Sequence, residues 1–282
     1  MSAAAPLMNW PDLLGRPLPR PSERIAYGPG PLQFGELWMP AGRGPFPVVL
    51  MVHGGCWRTN IAKLSIMNYA AADLAAQGIA VWNIEYRGID RPGGGYPGTF
   101  QDVAAGAEAL RAVAASHHLE LDHLVALGHS AGGHLVYWLA ARPSLPRSSA
   151  LWSAHPLPIA GVVSLGGLPD LTTAGEGCGD DTVKGLVGEP SAERPDVLAD
   201  TSPAVLELRA RSVVINGEED PIAPPTMARA FVARMRERGM HVDEVVLPDT
   251  GHVELIAPGT TAWAAAVAET RRLLGVAPPA RR

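Results

Sequence analysis

Six times along this chain a run of apolar residues stands almost unbroken between polar stretches: Phe46–Gly54, Ile79–Tyr86, Leu124–Ser130, Ile159–Gly167, Arg211–Gly217 and Asp243–Asp249. Such runs do not alternate apolar with polar, as a strand with one wet face would, so they read as strands buried on both faces. Between and after them lie helical patterns at Lys63–Gln77, Thr99–Ser116, Ala131–Ala141, Pro224–Arg238 and Thr261–Leu274. Alternating buried strands and helices predict an α/β fold: a mainly parallel central sheet with helices on both faces and ligands beyond the carboxyl ends of its strands. Ahead of this core, "RIAYG" and "LQFGELWM" read as two short strands joined by a Gly-Pro-Gly turn. The segment from about 172 to 204 is read as a long irregular piece, a variable loop or minimal cap, within one domain covering residues 1–282. Its seven acids against Lys184 and Arg194 suit either a solvated surface loop or a segment overhanging a site.

The third run ends in Gly128-His129-Ser130-Ala131-Gly132, a G-x-S-x-G pattern placed where a buried strand gives way to a helix. A chain that turns this sharply needs small neighbours around the serine, so the pattern points to a nucleophile whose hydroxyl is pushed out at the sheet edge. A serine that merely caps the following helix would look similar. Since a serine hydroxyl is a weak nucleophile, a base and a group orienting that base are required. Of the downstream histidines, His134 lies one turn into the helix after Ser130, while His155 and His241 precede strands and fall at the wrong edge. His252 follows the last strand and precedes the last helix, which selects it as the base. For the acid, Asp220 in "NGEEDPIAP" and Asp170 in "GGLPD" both end strands on the carboxyl edge, and either could instead cap a turn. Asp220 is the choice.

Attack on a carbonyl builds negative charge on oxygen, which calls for fixed donors. "HGGCW" (His53–Trp57) follows the first buried run, and its glycines would let the amides of Gly55 or Cys56 join that of Ala131 as an oxyanion hole. Gly93–Gly98 matches the letters of a dinucleotide-binding glycine pattern. It does not open directly from a strand, however, and Pro97 interrupts it, so it reads as a loop. No metal or cofactor motif is present, and none is expected.

The net charge of −5 and pI near 6.0 offer no footprint for nucleic acid or an anionic membrane. With the serine, histidine and acid pattern above, the expected partner is a small-molecule ester or amide. Two cysteines, Cys56 and Cys178, form no spaced zinc or disulfide framework, which fits a reducing compartment. With no export-type leader pattern, the chain reads as cytoplasmic.

Taken together, "HGGCW", "GHSAGGHL", "NGEEDPIAP" and "TGHVELI", in the order Ser130, Asp220, His252, resemble the α/β-hydrolase superfamily. The resemblance is to its esterase and lipase branch with the HGGxW motif, which includes kynurenine formamidases. It implies the α/β-hydrolase fold and a Ser130-His252-Asp220 triad, favours Asp220 over Asp170, and places "TSPA" at Thr201 just after a variable cap. It further implies cleavage of small carboxylic esters or aryl formamides through an acyl-enzyme. A peptidase or amidase, or a ligand receptor on the same fold, would share the pattern. Cys56 stands where such esterases usually carry a bulky aromatic, which suggests a differently shaped pocket. Trp57 and Tyr96 are the candidates to offer aromatic surface to substrate.

Overall fold

The computed structural model describes residues 6–277. Its strands are β1 (Glu23–Ala26), β2 (Phe34–Trp38), β3 (Phe46–Val52), β4 (Ala80–Ile84), β5 (Leu119–His129), β6 (Gly161–Leu165), β7 (Arg211–Gly217) and β8 (Val242–Leu247). They form one eight-stranded sheet in the order β1-β2-β4-β3-β5-β6-β7-β8. The two pairings that involve β2 are antiparallel and the rest are parallel, so the early hairpin strands build one edge and the six apolar runs fill the remainder. This is the α/β-hydrolase architecture.

The helices are α1 (Trp10–Leu14), α2 (Asn68–Ala76), α3 (Gly98–His117), α4 (Ala131–Ala141), α5 (Gly175–Cys178), α6 (Asp180–Val187), α7 (Pro225–Glu237) and α8 (Thr261–Leu274). Side chains of β3 show why both sheet faces must be covered. Val48, Leu50 and Val52 pack with Phe100 of α3, Leu135 of α4 and Phe231 of α7. Val49 and Met51 point the other way, into a second core with Leu13 of α1, Leu74 of α2 and Trp263 of α8. Each such side chain withdrawn from water contributes roughly 1.5–3 kcal/mol before conformational entropy is subtracted.

From β3 the chain passes through α2 to β4 on one side, then through α3 to β5 on the other side of β3. The loops leaving β3 and β5 therefore diverge from adjacent strand ends, the kind of crevice in which open α/β sheets hold ligands. "HGGCW" and "GHSAG" are those two loops.

Three sequence expectations change. The helix expected from Lys63 begins as a 3₁₀ turn at Leu64–Met67, with α2 proper starting at Asn68. The segment 172–204 is not irregular throughout, for it carries α5 and α6. Cys56 and Cys178 are joined in a disulfide, 122 residues apart in sequence. The fold brings the loop after β3 against α5, and no short Cys spacing could signal such a pairing. With it the cysteine argument for a reducing compartment falls away. Among the described residues, no helix is long and apolar enough to cross a membrane.

Candidate active site

Ser130 stands between the end of β5 and the start of α4 at φ 54°, ψ −124°, a conformation residues with a Cβ rarely adopt. The turn closes only because its flanks lack side chains. A Cβ on Gly128 would lie 2.2 Å from the Gly132 carbonyl oxygen, and one on Gly132 would lie 2.1 Å from that of Val52. The Ser130 hydroxyl does not cap α4, so that alternative use of the residue is not the one adopted.

His252 lies in the loop between β8 and α8, with its ring Nδ1 2.6 Å from Asp220 Oδ2. The other Asp220 oxygen accepts from the amides of Ile222 at 2.9 Å and Ala223 at 3.0 Å. Burial pushes the Asp220 carboxyl up, but the His252 ring and these two amides outweigh it and hold the group below its ordinary range. Asp170, the competitor, is occupied elsewhere: its Oδ1 accepts from the Thr172 amide and hydroxyl, and its Oδ2 pairs with Arg234 at 3.2 Å. Ser130 and His252 line one cavity, of about 340 Å³. Among the described residues no hydrogen bond joins the Ser130 hydroxyl to the His252 ring, a contact that often tightens only with substrate bound.

The amides of Gly55, Cys56 and Ala131 make no hydrogen bond among the described residues, and Gly55 and Cys56 line the same cavity as Ser130. Gly55, Cys56 and Trp57 take φ values of 104°, 48° and 54°, three left-handed residues in succession. The base of this loop is fixed by buried His53, whose Nε2 is 2.7 Å from Glu85 Oε1 and whose ring stacks on Tyr86. Burial pushes the Glu85 carboxyl up, but the His53 ring and the amides of Leu64 and Tyr86 bring it below its ordinary range.

Trp57 and Tyr96 do not line the cavity. Trp57 is fully buried, and its indole N–H donates to His134 Nδ1 at 3.2 Å. Tyr96 lies under the Arg194 guanidinium, 3.6 Å from the ring centroid, and its hydroxyl donates to Asp200 Oδ2 at 3.1 Å. Both aromatics anchor the 172–204 segment or its surroundings, because the loops that carry them turn inward after the strand ends. The apolar wall of the cavity comes instead from Trp10 and Leu14 of α1, with Ile61, Ala62, Ile66 and Ile222. The signal for α1 was available in "NWPDLL": Asn9 and Asp12 exchange capping hydrogen bonds around Pro11. Arg16 then donates to the Pro258 carbonyl at 2.9 Å, and the Met8 amide donates to Glu254, two residues beyond His252.

His129 is a further member that the motif left unnamed. Its Nε2 donates to the His252 carbonyl at 3.0 Å, and the two rings are 4.4 Å apart. Burial, then the nearby His252, push the His129 imidazole down to about 3, which keeps it neutral at ordinary pH. A larger hollow of about 670 Å³ between α2 and α8 holds none of these groups.

Residues 36–235 match the family model BD-FAE. Esterase LipC of Mycobacterium tuberculosis (strain ATCC 25618 / H37Rv) is 30% identical over 242 residues, an alignment covering 81% of this chain and 59% of that protein. The chain thus spans 59% of the length of the curated relative it matches. Among solved structures, esterase B from Lactobacillus rhamnosis (HN001) superposes with a TM-score of 0.75 at 21% identity, covering 90% of this chain and 86% of that one. Est2, a thermophilic esterase from the planctomycete Thermogutta terrifontis, gives 0.72 at 18% identity, covering 92% and 95%.

Proposed function

The chain belongs to the BD-FAE family, and from that premise we propose that it is a serine hydrolase cleaving small, neutral carboxylic esters. The observation that carries this reading is the 2.6 Å contact between His252 and Asp220 on one side of a cavity that also exposes Ser130 and uncommitted amides. His252 Nε2 takes the Ser130 proton as Oγ attacks the ester carbon, and Asp220 holds Nδ1–H and so fixes the tautomer. The amides of Gly55, Cys56 and Ala131 receive the oxyanion, aided by the N-terminal end of α4. His252 then protonates the departing alcohol, and a water activated in the same way releases the acid.

The substrate class follows from the lining. Apart from the catalytic groups the walls are Trp10, Leu14, Ile61, Ala62, Ile66 and Ile222, with no formal charge among them. A cavity of about 340 Å³ suits a short acyl or aryl group. Esterase relatives favour ester over aryl formamide, and no observation at the site singles out a formamide or peptide.

The test is a pre-steady-state assay with p-nitrophenyl acetate, butyrate and decanoate, beside N-formyl-kynurenine and a short peptide amide. A burst of nitrophenol equal to the enzyme concentration, with butyrate cleaved faster than decanoate, is the expected result. Absence of any burst or turnover on all three aryl esters, with the protein folded, overturns the reading.

A further inference from the structure

The oxyanion loop has an unusual conformational demand. Gly55, Cys56 and Trp57 are all left-handed, and two of them carry side chains that disfavour that region. Something must hold the loop there, and two attachments do so. Trp57 is buried with its indole bonded to His134, which donates in turn to the Thr201 carbonyl at 2.8 Å. Cys56 is covalently joined to Cys178 at the end of α5, with 5.5 Å between the two Cα atoms. Thr201 and Cys178 stand near opposite ends of the 172–204 segment, so both attachments lead from the oxyanion loop to that segment.

The position of α5 is fixed independently. A Cβ on Gly177 would meet the Ile222 carbonyl oxygen at 2.1 Å, so the helix packs on the acid loop that holds Asp220. At the other end of the segment Arg194 grips Asp200 at 2.8 Å and covers Tyr96. The segment is therefore a brace joined to the loops of both the oxyanion donors and the acid. Both cysteines are half-buried, within reach of a small thiol reagent.

Resting on the serine-hydrolase reading above, we infer that the Cys56–Cys178 disulfide is a positioning element: it holds the Cys56 amide in its donor orientation, so turnover depends on the redox state of this pair. Reduction by a dithiol breaks the Sγ–Sγ bond and delivers two electrons and two protons, giving two thiols while the reagent becomes its own disulfide. Cys56 then loses its covalent hold and relaxes toward commoner backbone conformations. The amides move off the oxyanion, and stabilisation is lost in the transition state more than in the bound ester.

The experiment compares the oxidised enzyme, the dithiothreitol-reduced enzyme, the reoxidised enzyme and Cys178→Ser, all on p-nitrophenyl acetate. Peptide mapping without reductant first establishes the Cys56–Cys178 link. Reduction is expected to lower kcat by about tenfold or more, a fraction of the 10²–10³ lost when a whole donor is removed, with KM changed less than about threefold. Reoxidation restores the rate. Cys178→Ser matches the reduced enzyme and ignores dithiothreitol. Affinity for an aryl trifluoromethyl ketone, which forms a tetrahedral oxyanion on the serine, falls in parallel with kcat/KM. Free thiols at both positions in the purified protein, or an unchanged kcat after complete reduction, overturns the inference. Near-ultraviolet circular dichroism at the assay temperature separates positioning from simple support: loss of tertiary signal in both the reduced enzyme and Cys178→Ser makes the bond a stability strut and also overturns it. If the oxidised enzyme itself has no esterase turnover, the hydrolase reading fails instead.

Discussion

Asp220 and Asp170 both end a sheet strand, and what distinguishes them is the groups their oxygens already serve. Asp220 keeps one oxygen for His252 and the other for two amides, whereas Asp170 is spent on Thr172 and Arg234. Asp220→Asn would present an amide to Nδ1 and misorient the base, an effect of roughly 10⁴-fold in a well-studied serine protease. We expect a fall in kcat on p-nitrophenyl acetate of at least about 10²-fold for Asp220→Asn and less than about threefold for Asp170→Asn. The reverse order would move the acid to the end of β6. That Ser130, His252 and Asp220 come together at the carboxyl edge of the sheet was legible, because residue type, chain order and position at strand ends restrict the choice. Trp57 was not, since its sequence position beside the oxyanion loop says nothing about which way the indole points, and burial turned it toward His134. His129 occupies the variable position of G-x-S-x-G, where no residue type is demanded, so its hydrogen bond to the His252 carbonyl could be found only in three dimensions.

Among the elements, α1 contributes most to the apolar wall of the cavity that holds Ser130 and His252. Trp10 stands edge-on to His129 at 6.1 Å between centroids and, with Leu14, closes the apolar side of the cavity. Trp10→Ala should enlarge that cavity and shift preference toward longer chains, raising the decanoate-to-butyrate ratio of kcat/KM by about tenfold, on the scale of one or two added methylene contacts. Parallel series that vary the acyl chain at fixed alcohol, and the alcohol at fixed acyl group, identify which part of the ester Trp10 meets. An unchanged profile in both would remove α1 from the substrate pocket. The elbow is more constrained still, because the clash from a Gly132 Cβ would be with the backbone of β3. Gly132→Ala is expected to lower stability by more than about 2 kcal/mol in denaturant unfolding, in line with overpacking at a site that cannot relax. Strands β3 to β8 were readable from continuous apolar runs, but α5 and α6 were not. They are short: the apolar side of α6, Val183, Leu186 and Val187, spans little more than one turn, too little for a helical period to declare itself in the sequence, and the disulfide and the Arg194–Asp200 pair that tie the segment down leave no local pattern.

For the whole molecule, pH links the buried histidines to stability. His129 and His134 are both withdrawn from water, which lowers their imidazoles to about 3 and about 4 from an ordinary 6.5. Below pH 6.5 the unfolded chain binds these protons and the native state does not, so stability falls on acidification through the window from 6.5 down to about 4. The slope is about 1.4 kcal/mol per pH unit for each histidine. His134→Gln should be less stable at pH 7, having lost a paired ring, yet should show a shallower decline in Tm between pH 6.5 and 4. A decline as steep as that of the native protein would mean that His134 is protonated in the fold. His252 is the ring whose Nδ1 meets Asp220 while it lines the cavity beside Ser130, and that geometry underlies the hydrolase reading. Its most direct test is covalent: incubate the native protein and Ser130→Ala with a p-nitrophenyl alkylphosphonate, then measure intact mass and map the modified peptide. One phosphonyl group per chain is expected, located on Ser130, with loss of esterase activity in step with labelling, and no adduct on a folded Ser130→Ala. An unlabelled native protein that hydrolyses aryl esters, or a Ser130→Ala variant that retains that activity, would contradict it.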